Sequence, residues 1–380
     1  MSEKAKTPDQ NAHADWAHQV WLWPLDATRL ALNAYLQWFD EHQPAPSRAA
    51  DQTPLAWTTE NAVALRLPSM RLRDFSRGSA GQPLLVCAPY ALHRALIADF
   101  APGHSLVEAL QKGGVNRIYV TDWRSATPEM RYFSIDNYLA DLNVAIDEIG
   151  TPIDLVGLCQ GGWLSVIYAA RFPGKVRRLV LAGSPIDVSV PSEISMMAAA
   201  LPQQPFDQLV RRGDGIVSGK HMLQLWSLRP SLHDVEEALQ RDLGDGSDKA
   251  KALIDRFERW HHETLDLPGT YYVETTDWIF RENRIAKARF VALGRPIDLA
   301  AVKVPVFLLA SESDIIVPGE QAFATARLLG TQLVWLERAA EPCDHLSLFM
   351  GRKALSHSWR RIARWLQADI DDAAGARISA

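Results

Sequence analysis

The stretch DLVGLCQGGW, residues 154–163, limits what this chain can fold into more than any other segment of its length. An apolar run at 153–156 leads into a turn in which Gly157 and Gly161 bracket Cys159. Residues 163–172 then continue at helical spacing, with Leu164, Ile167 and Tyr168 on one face. This is the G-x-S-x-G pattern of a nucleophile elbow with cysteine in the serine position. A side chain at the tip of such a turn reaches the active-site space only if the helix packs closely beneath it, and glycine at 157, 161 and 162 leaves room for that approach. Alone the pattern is weak; between a strand and a helix it is specific. Cys159 is therefore read as a nucleophile rather than an apolar filler, because the positive end of the following helix favours a thiolate there. Cys87, in an apolar run, and Cys343, in a loop, have no such surroundings.

From about residue 80 the short apolar runs PLLVCAP, RIYVTDW, IDLVGLC, RLVLAGSP, VPVFLLAS and QLVWLE alternate with helix-length segments. Such runs predict an α/β fold, a mostly parallel sheet buried on both faces with helices covering each face. Between about 187 and 290 the rhythm stops and helical periodicity takes over, which predicts a cap inserted over the C-terminal ends of the strands. The expected organisation is a tail and helical arm at 1–80, the α/β domain at 81–370 and a flexible tail at 371–380. The arm holds Trp16, Trp21, Trp23 and Trp38, four of the 13 tryptophans, and either packs on the body or meets a partner.

Composition closes off several function classes. A formal net charge of −5 gives no long-range attraction for nucleic acid or an anionic membrane. Three cysteines with no C-x-x-C spacing argue against a disulfide framework or a zinc site, and fit a reducing, cytoplasmic setting. The N-terminal residues lack an apolar signal region, and no run approaches the roughly 18 apolar residues of a transmembrane helix. Neither a metal nor a bound redox cofactor is implied.

A nucleophile at an elbow needs a base and an orienting acid, in the chain order nucleophile, acid, histidine. Of the 11 histidines, only His345 and His357 follow the later strand runs. His345 sits in EPCDHLSLFMG, a loop directly after the last run. His357 lies in a helical segment whose core face is Leu355, Trp359, Ile362 and Leu366, so it is expected at the surface. Asp314, in the loop after VPVFLLAS, is the favoured acid, with Glu312 its rival. Oxyanion donors are expected to be the backbone N–H of Gln160 and that of Tyr90 or Ala88, since the intervening Pro89 has none. Asp344, beside the base, reads as a loop residue.

With these residues placed, the chain resembles the polyhydroxyalkanoate synthases and their relatives, the intracellular polyhydroxybutyrate depolymerases. The resemblance spans about 83–366 and is carried by ADFAPGHSLVEAL, YVTDW, VGLCQGGW, GSPID, LPGTYYVETTDWIFREN, GRPIDLAAVKVPVFLLASESDIIVP and HLSLFMG. It implies the α/β-hydrolase fold and a Cys159, Asp314 and His345 set acting on (R)-3-hydroxyacyl esters or thioesters. The G-x-C-x-G-G elbow and LPGTYY resemble the synthases; YVTDW, YYVET and the run into FMGRK resemble the depolymerases. Ile315 stands where synthases usually carry histidine, Asp344 where they carry glycine, and the first loop lacks their asparagine. The resemblance implies a synthase-type acyltransferase, alternatively a polyester or hydroxyacyl (thio)ester hydrolase, alternatively a non-catalytic granule-associated or subunit-like protein. Its implied partners are hydroxyacyl-CoA or polyester, with coenzyme A entering only as part of a substrate. A homodimer, a second synthase subunit and a polyester-granule surface are also compatible with it.

Overall fold

Each of the six apolar runs forms a strand in the computed structural model, which describes residues 54–201, 203–225 and 248–369. Two strands precede them, so the sheet comprises β1 (Ala62–Arg66), β2 (Met70–Asp74), β3 (Pro83–Cys87), β4 (Arg117–Trp123), β5 (Ile153–Leu158), β6 (Val176–Ala182), β7 (Val306–Ala310) and β8 (Val334–Arg338). Their order is β1-β2-β4-β3-β5-β6-β7-β8. The pairs β1/β2 and β2/β4 are antiparallel and all the others parallel. The sheet thus begins at Ala62, not at the expected domain start of 81. β1 and β2 alternate partly exposed and more buried residues, so they carry no continuous apolar run.

By internal contacts the chain divides into two units, residues 1–53 with 201–208 and residues 54–200 with 209–380. Residues 203–208 of the first are helical, and everything below concerns the second. The four arm tryptophans and the tail expected at 371–380 lie outside the described residues.

Strand alternation sends Leu84, Val86, Val120, Val156, Val180, Phe307 and Leu309 to one face of the sheet, where they join one buried cluster with helices α1 (Leu106–Lys112) and α5 (Ser358–Gln367). Leu85, Leu155, Leu179 and Leu308 are equally buried on the other face. There α3 (Gln160–Arg171) packs on β5 and β6, and α2 (Ile135–Ile149) packs beside it. Burial on both faces is what makes these strands read as unbroken apolar runs. β8 differs: at the sheet edge it alternates buried and exposed residues, and Leu336 points outward.

The cap expected at 187–290 connects β6 to β7. Its described part contains α4 (Asp248–His262), shorter helices such as Glu193–Ala200, an antiparallel pair Ile216–Val217 with Leu267–Pro268, and a π-helical turn at Thr275–Arg281. Its two ends are tied together at Asp187, which accepts hydrogen bonds from Ser189 Oγ at 2.6 Å and Asn283 Nδ2 at 2.9 Å and pairs with Arg327 at 2.5 Å. Burial pushes the Asp187 carboxyl up, but these donors outweigh it and hold it down to about 2.

At the turn between β5 and α3, Cys159 has φ 49° and ψ −119°, a conformation that costs an L-residue about 1–3 kcal/mol. Burying Leu164 and Ile167 of α3 returns about 1.5–3 kcal/mol each, so packing can hold the strain. The close approach leaves no room for side chains at the glycines. A Cβ on Gly161 would lie 2.1 Å from the Cys87 carbonyl oxygen, and one on Gly157 2.4 Å from Gly162 Cα. Both obstacles are backbone and cannot swing aside. Gly161→Ala is therefore expected to lose about 3 kcal/mol or more of stability in urea unfolding. A loss below about 1 kcal/mol would show that α3 can retreat from β3.

Candidate active site

Three loops at the C-terminal ends of the parallel strands bring the expected residues together. Cys159 follows β5 and caps α3; its N–H donates to the Ala182 carbonyl at 2.9 Å, and its carbonyl accepts from Gly162 N at 2.9 Å. Asp314 follows β7, and its carboxylate is fixed in place. Oδ1 accepts from the N–H of Ile316 and of Val317, both at 2.9 Å, and Oδ2 faces His345 Nδ1 at 2.6 Å. With Nδ1 committed to Asp314, Nε2 is the ring nitrogen left free of it, and the Cys159 sulfur lies near enough to favour a proton on the ring. Gly183 makes space for the imidazole: a Cβ there would sit 3.2 Å from His345 Cε1. Phe349 closes the other side, edge-on at 5.2 Å.

Burial by itself drives His345 toward its neutral form. The Asp314 carboxylate, and after it the Cys159 sulfur, outweigh that effect and hold the imidazole well above its ordinary range. The ring is thus poised to accept and keep a proton from the thiol. Cys87 and Cys343 are buried, and burial pushes both thiols up to about 12. They remain protonated near neutrality, whereas Cys159 is partly exposed.

The rival candidates are placed elsewhere. Glu312 is exposed and pairs with Arg338. His357 is exposed and bonds to the Lys353 carbonyl. Asp344 accepts from the Ser347 N–H at 2.7 Å and caps the following turn, as a loop residue should. Of the two residues considered for the second oxyanion donor, Ala88 has its N–H occupied by Thr121 Oγ1 at 2.9 Å. Gln160, the other expected donor, opens α3, where the first N–H groups have no partner within the helix.

Two features of the site have no local signature in the sequence. The Glu341 carboxylate clamps the acid loop to the histidine loop: Oε1 accepts from Ser311 Oγ at 2.8 Å and Glu312 N at 3.2 Å, and Oε2 accepts from Cys343 N at 3.0 Å and from Ser313 Oγ. Burial would raise this carboxyl, but the serine hydroxyls and backbone donors lower it. The second feature is a seam between the Tyr90 loop and the cap. Leu265 N donates to the Leu92 carbonyl at 2.8 Å, Arg94 pairs with Glu263 at 3.1 Å, and Trp260 Nε1 donates to the Arg94 carbonyl at 3.1 Å. His93, pushed down to about 3 by burial and then by His261, is neutral and donates from Nε2 to the His261 carbonyl at 3.0 Å while stacking on Trp260. Behind it the Tyr90 ring packs 4.7 Å from Tyr138 and 5.1 Å from Tyr271, whose hydroxyl donates to the Tyr90 carbonyl.

The arrangement of elbow, acid loop and histidine loop on this strand order agrees with a family model described as "Alpha/beta hydrolase family", which matches residues 92–365. The chain belongs to that family. Among curated proteins, this hydrolase-fold chain is 28% identical over 297 residues to a poly(3-hydroxyalkanoate) polymerase subunit PhaC from Synechocystis sp., covering 75% of this chain and 78% of the relative. It is 26% identical to the subunit of the same name from Allochromatium vinosum, covering 75% and 81%. Solved structures with the same fold include a monoacylglycerol lipase from Paleococcus ferrophilus, with TM-score 0.50, 19% identity and coverage of 78% of this chain and 98% of the other. A Bacillus megaterium epoxide hydrolase gives TM-score 0.51, 13% identity, and 80% and 100%.

These surroundings make the three thiols unequal. Iodoacetamide near neutral pH should alkylate Cys159 ahead of Cys87 and Cys343, and His345→Ala should slow that reaction on the order of 10-fold or more. Peptide mass spectrometry over time reads both effects; labelling of Cys159 at the same rate without the imidazole would contradict them.

Proposed function

We propose that this protein is a polyhydroxyalkanoate synthase-like acyltransferase that acts on (R)-3-hydroxyacyl-CoA through a covalent acyl group on Cys159. The observation that carries the reading is the Asp314–His345 hydrogen bond at 2.6 Å, formed near the Cys159 thiol at the tip of the elbow. Similarity to proteins named poly(3-hydroxyalkanoate) polymerase subunits supports the substrate class.

In the first half-reaction His345 Nε2 takes the thiol proton as Cys159 Sγ attacks the acyl carbonyl. The negative charge passes to the carbonyl oxygen, which the N–H groups of Gln160 and Tyr90 receive. The carbonyl re-forms, the carbon–sulfur bond to coenzyme A breaks, and its sulfur leaves with the proton held by His345. Asp314 stabilises the imidazolium throughout and fixes which nitrogen faces the thiol. In the second half His345 takes the proton of an incoming hydroxyl, whose oxygen attacks the Cys159 thioester. The bond to Cys159 Sγ breaks, and the proton returns to the cysteine.

The identity of that hydroxyl decides the product. The end of a hydroxyacyl chain gives an ester one residue longer, and water gives the free acid. A cap that excludes water favours the first outcome. Granule association and a cytoplasmic setting belong to this same reading.

The test is incubation of wild type and Cys159→Ala with (R)-3-hydroxybutyryl-CoA, following free thiol and separating polymer from acid by mass. Polymer with thiol release that falls by more than about 10⁴-fold in the variant is expected. Free hydroxy acid that depends on Cys159 would instead identify a hydrolase. Thiol release that is unchanged in the variant would contradict the assignment of the nucleophile.

A further inference from the structure

The backbone that leaves β3 lies directly against the elbow. A Cβ on Gly161 would come within 2.1 Å of the Cys87 carbonyl oxygen and 2.9 Å of that of Ala88. Where an N–H of this segment points is therefore set by the rotations left to it. Ala88 is tied to β4 through both of its backbone polar groups: its N–H donates to Thr121 Oγ1 at 2.9 Å, and its carbonyl accepts from Trp123 Nε1 at 2.7 Å. Pro89 follows, and its ring fixes φ.

Tyr90 is held from the other side by the cap. The Tyr271 hydroxyl donates to the Tyr90 carbonyl at 3.3 Å, and the Tyr90 hydroxyl donates to the Asp266 carbonyl at 3.2 Å. Tyr271 is 2% exposed and lies in the short helix Gly269–Glu274, where its own N–H donates to the Phe133 carbonyl at 3.0 Å. Burial holds its hydroxyl well above the ordinary phenol range, so it stays a donor. Two rotations set the direction of the Tyr90 N–H, ψ of Pro89 and φ of Tyr90, because the peptide between them is planar. Trp123 and Tyr271 restrain that peptide from its two ends.

A third aromatic residue separates packing from aim. The Tyr138 ring sits in the same cluster, 4.7 Å from the rings of both Tyr90 and Tyr271, yet its buried hydroxyl makes no hydrogen bond among the described residues.

We propose that Trp123 and Tyr271 are positioning residues for acyl transfer: together they fix the Pro89–Tyr90 peptide so that its N–H meets the carbonyl oxygen as that oxygen takes up negative charge. This rests on the acyl-transfer reading above, in which Tyr90 is an oxyanion donor. A donor already aimed needs no reorganisation when the charge develops, so loss of aim falls on kcat rather than on substrate binding. Because Tyr271 belongs to the cap, the direction of the donor also depends on how the cap is seated.

Rapid-quench acylation and steady-state thiol release with (R)-3-hydroxybutyryl-CoA test this in the full chain. Tyr271→Phe keeps the ring and should lower kcat and the rate of acyl transfer to Cys159 about 10-fold or more, with KM changed less than about 3-fold. Alkylation of Cys159 by iodoacetamide should stay within about 2-fold of wild type, because displacement at the iodoacetamide carbon develops no oxyanion. Tyr138→Phe removes a hydroxyl from the same cluster and should leave acylation within about 2-fold of wild type. Trp123→Phe should also lower kcat, and the double variant with Tyr271→Phe should lose less than the product of the single losses, since both act on one peptide. Wild-type kcat in Tyr271→Phe would overturn the inference. So would equal slowing in Tyr138→Phe, parallel slowing of alkylation, a change confined to KM, or fully multiplicative losses, each of which marks an effect of packing alone. Wild-type protein that forms no acyl group on Cys159 would instead remove the acyl-transfer reading, and this inference with it.

Discussion

The close approach of α3 to the strands beneath it governs the rest of the site. Gly157, Gly161 and Gly162 let the helix backbone come within reach of β3 and β5, and that contact holds Cys159 at φ 49°. The same geometry sets three things: the sulfur at the tip of the turn, the Gln160 N–H beside it, and the helix axis beneath it. Were the helix farther away, the cysteine would relax into an ordinary turn and lose both its aim and its neighbouring donor. Strain at one residue is held by packing over many.

Aim alone would not give chemistry, since the imidazole has to stay turned toward the sulfur in a buried site that opposes its charge. Asp314 meets that requirement through one hydrogen bond to His345, while two backbone N–H groups steady its other oxygen. Glu341 then fixes the acid loop to the histidine loop, so the two partners are set relative to each other and not only to the sheet. On the opposite side, the seam at Leu92, His93 and Arg94 ties the Tyr90 loop to the cap. Any shift of residues 260–266 would therefore be felt at Tyr90. The site is braced from three directions by hydrogen bonds between segments distant in sequence.

That distribution explains what was legible in the chain and what was not. The central strands could be read because burial on both faces leaves an unbroken apolar run, as in PLLVCAP and VPVFLLAS. The pair at 62–74 could not, because AVALR and MRLRD alternate and resemble surface segments. Cys159, Asp314 and His345 were legible through local pattern and chain order, and the structure brings them together. That the Ala88 N–H is already occupied could not be read from the sequence, because its partner is the Thr121 hydroxyl, 33 residues away. Glu341 looked like any loop acid for the same reason: its partners come from the loop after another strand. Contacts that define a site across loops leave little trace in any one of them.

The central claim is that Cys159 carries the acyl group. Acid quenching of the wild-type protein milliseconds after mixing with (R)-3-hydroxybutyryl-CoA, followed by digestion and mass analysis, tests it most directly. A hydroxybutyryl thioester on the peptide containing Cys159, released by hydroxylamine, is the predicted result. Turnover of the thioester with that peptide unmodified, or with the acyl group on another residue, would contradict the account.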